Sequence, residues 1–521
     1  MRLETVVLRW WVVLCVILAP SSLMRAADDI SAKLHAVIHG PDYKQAHWGI
    51  LFVDADTGKA IYEHNPDKLF TPASTTKLYS CAAALIALGP DYRFATPVYR
   101  RGEVKEGRLR GDLILVASGD LTLGGRTNRD GHMAFKDHDH IYANGSTKAE
   151  LTDTDPLAGL KELARQIKAA GIREITGDVL IDDRLFAPAR GTGSGPEVLS
   201  PIIVNDNVVD VVVTPAAEAG KPASVRIRPD TNFVQMDAQV TTVAESKETR
   251  VDILTVGPRR FAIRGQIPVK RRPVVRIFPV DDPAAYARTL FIEVLRREGV
   301  AVRVSPLGAA LASLPDRDSY PKLKRVAVFE SPPLSEAIKV TLKVSHNLYA
   351  STLPLLIAVK SGKRTLADGL RLQGRIFSDL GVDVGTISFG GGAGGANADC
   401  VTPRATVQLL QAMAKRPEWA AYKNGLPILG VDGTLHDAVP KESPARGKAW
   451  AKTGTISWTD LMNDRPLLRG KALAGVMKTA TGRELCFAMF VNDVPLPKGT
   501  EPTREGKVLG KLCEIVYQHA P

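Results

Sequence analysis

Strand-like segments lie at both ends of this chain, and neither set can bury its apolar face unless the ends meet. Residues 47–66, "HWGILFVDADTGKAIYEHNP", read as a hairpin turning at Asp56-Thr57-Gly58. Near the other end, "GKAWAKTGT", "KALAGVMKTA" and "ELCFAMFVND" read as three more strands, the last two joined at Thr481-Gly482. An amphipathic helix through Val508, Leu512 and Val516 closes the chain. An isolated hairpin is marginal in water, so the economical solution is one five-stranded antiparallel sheet assembled from both termini, with helices against it. The expected class is α+β.

The segment between these ends has a different texture. From about 93 to 320 it carries short β-like runs such as "RLRGDLILVASGD", "NVVDVVVTP" and "RFAIRGQIP", with only "PLAGLKELARQIKAAG" and "AAYARTLFIEVLRREG" clearly helical. We read it as β-rich insertion. The expected layout is a core at 28–92, an inserted domain at 93–194, a second inserted β-rich domain at 195–280, a return to the first at 281–320, and the rest of the core at 321–521. Such an insertion is expected to fold outside the core and to govern polymer access more than bond-breaking.

Residues 1–27 read as a secretory signal: Arg2 and Arg9 precede an apolar run from Trp10 to Ala19, and small residues flank Ala26. The run is short for a membrane span, and Leu14 before Cys15 does not suit a lipid anchor. An uncleaved anchor and peripheral membrane contact stay open. Cys81, Cys400, Cys486 and Cys513 form neither a disulfide framework nor a zinc spacing. The net charge of +12 is scattered, and export argues against nucleic acid and for an anionic envelope polymer.

The chemistry begins at "TPASTTKLYS". Thr71 reads as an N-cap and Pro72 as the first helical residue, which sets Ser74 and Lys77 one turn apart. A lysine kept neutral by desolvation is a base for the neighbouring hydroxyl. Alone, Ser-x-x-Lys is equally an ordinary helix start. Two later stretches give it partners: Ser345-His346-Asn347 between two helical runs, and Lys452-Thr453-Gly454-Thr455 on a candidate edge strand. The ordered triple is the signature of penicillin-interacting serine enzymes. Ser74 is the expected nucleophile, Lys77 its base, Ser345 a proton relay, and Asn347 an orienting amide. Lys452, Thr453 and Thr455 are the expected carboxylate site, and Gly454 admits a close backbone approach. The N–H groups of Ser74 and Thr455 suit an oxyanion hole.

From about residue 45 to 518 the chain resembles the class C low-molecular-mass penicillin-binding proteins, serine D-alanyl-D-alanine carboxypeptidases and endopeptidases. Besides the triple, "ITGDVLIDDRLFA", "LPILGVDGTL" and the 268 positions separating Lys77 from Ser345 carry the likeness. The resemblance implies a β-lactamase/transpeptidase-like core with two inserted domains, and hydrolysis of D-Ala-D-Ala bonds or D-Ala-linked cross-links in peptidoglycan through an acyl-serine. It implies peptidoglycan stem peptides as substrate, β-lactams as covalent inhibitors, no cofactor, no metal, and a periplasmic or cell-envelope location. The competing readings are a catalytically weak wall-binding scaffold and a β-lactamase. His346 stands where aspartate is common and is expected to be tolerated. "GGAGGANADC" replaces a more usual Asp-Gly-Ser-Gly-Leu-Ser run. Elsewhere the glycines at 390–395 read as a flexible loop, His132, His138 and His140 with nearby aspartates as a polar surface loop, and His436 as a hydrogen-bonded structural histidine.

Overall fold

The two ends of the chain do meet. The computed structural model describes residues 20–501 and 503–520, so most of the expected signal, residues 1–19, lies outside the described residues. The central sheet contains β1 (His47–Asp54), β2 (Ala60–His64), β3 (Ala449–Asp460), β4 (Arg465–Lys478) and β5 (Glu484–Asn492). Their order is β3-β4-β5-β1-β2, antiparallel throughout. Residues 494–495 add a short strand beside β4. The β1–β5 register pairs His47 with Asn492 and Asp54 with Leu485, which zips the first strand onto the last.

Each face of the sheet is covered. On one side Phe52, Phe487 and Met489 pack with Leu509, Leu512 and Val516 of the terminal helix and with Ile30, Leu34 and Ile38 of α1 (Pro20–Ile38). The i, i+4, i+8 spacing of the α1 residues gives it one apolar stripe. On the other side lie α2 (Thr76–Leu88), α3 (Leu334–Lys343) and α4 (Asn347–Lys360), which share a core with Phe490, Ala472 and Ala474. Burying both faces explains why β5 is apolar along nearly its whole length instead of alternating. Among the described residues no helix is long and apolar enough to cross a membrane.

The insertion holds a six-stranded sheet ordered 301–302, 174–175, 108–116, 95–105 and 324–330, with 179–182 off that path, and two three-stranded sheets within 208–279. One apolar cluster joins them, running from Val98 and Leu113 through Val211 and Ile263 to Leu290. The expected return to the core at 321 needs correction: Lys324–Glu330 pairs with 95–100 in the inserted sheet, and its Ala327 is buried in that apolar cluster.

Candidate active site

Ser74 stands on a tight turn instead of the regular helix start expected from its sequence. Residues 73–75 form a 3-10 turn and α2 begins only at Thr76, so Thr71 is not its N-cap. Thr71 is occupied elsewhere, its N–H bonded to Asn492 Oδ1 at 2.8 Å at the end of β5. Ala73 is left at φ +47°, a left-handed conformation costing about 1–3 kcal/mol for a residue with a Cβ. Thr75 braces the turn, its N–H and hydroxyl both donating to the Pro72 carbonyl, at 3.2 and 2.7 Å. Ser74 is half-buried, whereas Thr75 and the helix through Leu85 are buried.

Lys77 lies fully buried beneath it. Its Nζ is 2.8 Å from Ser74 Oγ, 2.7 Å from Asn347 Oδ1 and 2.7 Å from the Ala393 carbonyl oxygen. Burial lowers its pKa from 10.5 to about 7, against the opposing pull of Cys81 and Asp399. A neutral amine has two N–H donors and one lone pair. Asn347 Oδ1 and the Ala393 carbonyl can only accept, so they take the two hydrogens. The lone pair is left facing the Ser74 hydroxyl, which is the arrangement of a general base.

The second motif is built from both sides of the core boundary. Ser345 sits at φ +63° between α3 and α4, and its carbonyl accepts from the Tyr142 hydroxyl. Asn347 Nδ2 donates to the Ser194 carbonyl at 3.0 Å, and a Cβ on Gly193 would come within 2.6 Å of that amide. Tyr142, Gly193 and Ser194 all belong to the insertion. The expectation that the insertion stays outside the site is therefore not met: it holds Asn347, which bonds to Lys77, and the main chain of Ser345.

The third motif lies on β3, the sheet edge. Gly454 passes so close to the nucleophile turn that a Cβ there would lie 2.5 Å from the Pro72 carbonyl and 3.1 Å from Ser74 N. Lys452 is fully buried, its Nζ donating to the Thr453 carbonyl at 2.7 Å, and burial together with Lys77 holds its pKa well below the ordinary lysine value. Thr453 Oγ1 donates to Thr434 Oγ1 at 2.7 Å. Thr455 is exposed, and its hydroxyl accepts from Lys471 Nζ at 2.8 Å. Burial lowers Lys471 to about 8.

The glycine run is a packed wall and not a flexible loop. A Cβ on Gly394 (φ +88°) would meet the Ala73 carbonyl at 1.8 Å, and one on Gly392 would meet that of Ala350 at 2.1 Å. Asp399 pins the run by accepting from the N–H groups of Gly390 and Ala396 at 2.8 and 2.9 Å. Its glycines let the chain run flat against the Ser74 turn and present the Ala393 carbonyl to Lys77.

Asn347 reaches Ser74 through Lys77 and Gly454 lies against the Ser74 turn, and residues 30–508 match the "D-Ala-D-Ala carboxypeptidase 3 (S13) family". The chain belongs to the S13 family. Over 95% of its length it is 30% identical to the D-alanyl-D-alanine carboxypeptidase of Actinomadura sp. strain R39, covering 86% of that protein. It is 25% identical to the D-alanyl-D-alanine carboxypeptidase DacB of Haemophilus influenzae, covering 85% of each chain. The crystal structure of penicillin-binding protein 4 from Haemophilus influenzae superposes with a TM-score of 0.68 at 20% identity, over 95% of this chain and 99% of that one. That match extends the fold likeness through the insertion as well as the core.

In this S13 peptidase one histidine departs from expectation and another meets it. His436 is a hydrogen-bonded structural residue, its Nδ1 2.9 Å from the Gly433 carbonyl. His140 and Asp139, expected at the surface, are buried. Of the residues bonded to them, Asp206 and Asp210 lie more than 60 positions away, and Arg126 lies in an earlier turn of the chain. Asp139, His140 and Asp206 converge closely enough for a metal, yet Arg126 already donates to both carboxylates and fills the cation's place. Sequence reasoning missed Ala393, Tyr142 and Ser194. Ala393 and Ser194 act through main-chain carbonyls and leave no signature in residue type.

Proposed function

We propose that this chain is an exported serine DD-peptidase that hydrolyses D-Ala-D-Ala bonds, or D-Ala-linked cross-links, in peptidoglycan stem peptides at the cell envelope, and that β-lactams acylate it. One observation carries the reading: a fully buried lysine whose Nζ faces two groups that can only accept and lies 2.8 Å from Ser74 Oγ. Membership of the S13 family supports the substrate class.

The chemistry divides into two half-reactions. Lys77 takes the Ser74 proton as Oγ attacks the D-Ala carbonyl, and the oxyanion is held by the Ser74 and Thr455 N–H groups. Ser345 passes the proton to the leaving amine as the C–N bond breaks, while Asn347 orients the substrate amide. Lys452, Thr453 and Thr455 receive the terminal carboxylate of the leaving D-Ala. Gly454 lets β3 lie against the Ser74 turn, which brings these groups within reach of one substrate. Water then attacks the acyl-serine and the proton returns by the same route.

The scaffold reading rested on the altered glycine run; that run packs against the Ser74 turn and its Ala393 carbonyl lies 2.7 Å from Lys77 Nζ, which favours the catalytic reading. A penicillin pulse followed by mass spectrometry tests the proposal. A single penicilloyl adduct on Ser74, persisting for minutes and absent from Ser74→Ala, is expected alongside repeated turnover of a D-Ala-D-Ala peptide. Labelling that persists in Ser74→Ala, or an adduct gone within seconds with continuing antibiotic hydrolysis, refutes it.

A further inference from the structure

Lys471 carries a buried charge that the chemistry just described leaves unused. It lies on β4 directly opposite Thr455 of β3, so the two side chains leave the sheet on the same face. The residue is only 5% exposed, and its Nζ donates to Thr455 Oγ1 at 2.8 Å. That is its one side-chain hydrogen bond among the described residues, and no carboxylate among them stands within ion-pair distance of it. Glu505 and Asp437 act on it from farther off. Glu505, fully buried on the terminal helix, is engaged elsewhere: Oε2 accepts from the Tyr43 hydroxyl, and Arg504 Nε stands 3.7 Å from Oε1. Asp437 is exposed. Buried charges are ordinarily paired, because desolvation without a counter-ion is costly. An unpaired cation one hydroxyl away from a substrate-binding strand is a place for an anion that arrives with the substrate.

The hydrogen-bond directions lead to the same end. An ammonium offers only hydrogens, so Thr455 Oγ1 accepts from it and the Thr455 hydrogen points elsewhere. Among the described residues nothing accepts that hydrogen, and Thr455 is exposed. The neighbouring hydroxyl is different: in the free site Thr453 commits its hydrogen to Thr434 Oγ1 at 2.7 Å. Lys452 is turned onto its own strand, with Nζ 2.7 Å from the Thr453 carbonyl oxygen. The free hydroxyl hydrogen of this strand is therefore that of Thr455, and Lys471 is what frees it. Burial lowers Lys471 only to about 8, so the ammonium persists at neutral pH.

We propose that Lys471 is a positioning residue for substrate recognition: it turns the Thr455 hydroxyl hydrogen outward and sets a second positive charge behind it, so that the pair selects substrates whose leaving group carries a free carboxylate. The proposal rests on the reading of Lys452, Thr453 and Thr455 as the carboxylate site, which the unaltered protein tests separately.

Two matched acyl-D-Ala thioesters decide it, one with mercaptoacetate as leaving group and one with its methyl ester, differing only in the free carboxylate. With each, Ser74 Oγ forms an ester with the acyl carbon as the C–S bond breaks, the Ser74 proton passes to Lys77, and the released thiolate is measured by absorbance. The readout is the ratio of kcat/KM on the carboxylate to that on the methyl ester. Lys471→Met keeps the length of the side chain but removes donor and charge, and should lower this ratio about 30-fold. Loss of an unpaired buried charge should leave the thermal midpoint unchanged or raised; should Met not fold, Lys471→Gln takes its place, with a fall of at least about tenfold expected. Thr455→Val keeps the backbone N–H and removes the hydroxyl. In that background Lys471→Met should cost the ratio only about threefold, because most of its effect passes through the hydroxyl. A ratio retained in Lys471→Met or Lys471→Gln, or an undiminished 30-fold loss in the Thr455→Val background, would overturn the proposal. A ratio of one already in the unaltered protein would refute the carboxylate site itself, and the proposal with it.

Discussion

Replacing Lys77 by methionine should change stability in a way that depends on pH, and the dependence can be worked from its burial. In the unfolded chain this lysine keeps its ordinary value of 10.5, whereas in the fold it falls to about 7. Between these values the unfolded chain binds a proton that the folded chain has lost, so the Lys77 contribution makes stability rise with pH. At about 1.36 kcal/mol per tenfold, the penalty for burying this lysine is about 4 kcal/mol at pH 7 and about 2 kcal/mol at pH 9. A methionine side chain at this position incurs none of it, though it also forfeits the contacts to Ser74, Asn347 and Ala393. Those losses do not vary with pH and cancel when two pH values are compared. Lys452 and Lys471 are common to both proteins and cancel to first order. The stability advantage of Lys77→Met over the unaltered protein should therefore shrink by about 2 kcal/mol between pH 7 and pH 9, measured by urea unfolding at each pH. The kinetic counterpart is an acylation rate that rises with pH about a midpoint near 7 and vanishes in the variant. Parallel pH curves for the two proteins would refute the reasoning, since they would mean that Lys77 stays protonated in the fold.

Two further outcomes follow from β3. Lys452 is held well below its ordinary pKa in the free site, and an incoming carboxylate should draw a proton onto it. Calorimetry of a free-carboxylate D-Ala-D-Ala peptide in buffers of different ionisation enthalpy should show proton uptake near neutral pH in the unaltered protein and less in Lys452→Ala; equal uptake in both would remove Lys452 from the carboxylate site. Gly454→Ala puts a methyl 2.5 Å from the Pro72 carbonyl; acylation should fall at least about 100-fold, corresponding to about 2.7 kcal/mol of barrier, with little change in the thermal midpoint, and unimpaired labelling would show that β3 need not lie against the Ser74 turn.

Much of this molecule is determined locally and can be read from the chain alone. The central strands announce themselves because burial on both faces demands long apolar runs, and β5 and β1 supply them from opposite ends of the sequence. Ser74, Lys77, Ser345, Asn347 and Lys452 to Thr455 are legible because side-chain chemistry needs particular residue types in a particular order. The tertiary structure decided what depends on groups without a residue-type signature or on partners far away in sequence. The left-handed bend at Ala73 follows a Thr71 whose N–H is bonded to Asn492, more than 400 residues on, a contact that no local reading of the sequence supplies. The glycine run looks mobile in isolation and becomes a wall only because Ala73 and Ala350 press against it. His140 and Asp139 look solvated until Arg126 and Asp206 close over them. Lys77 itself shows the division: its place one turn beyond Ser74 is a matter of helical spacing, but its proton affinity is set by desolvation, and desolvation is a property of everything folded around it.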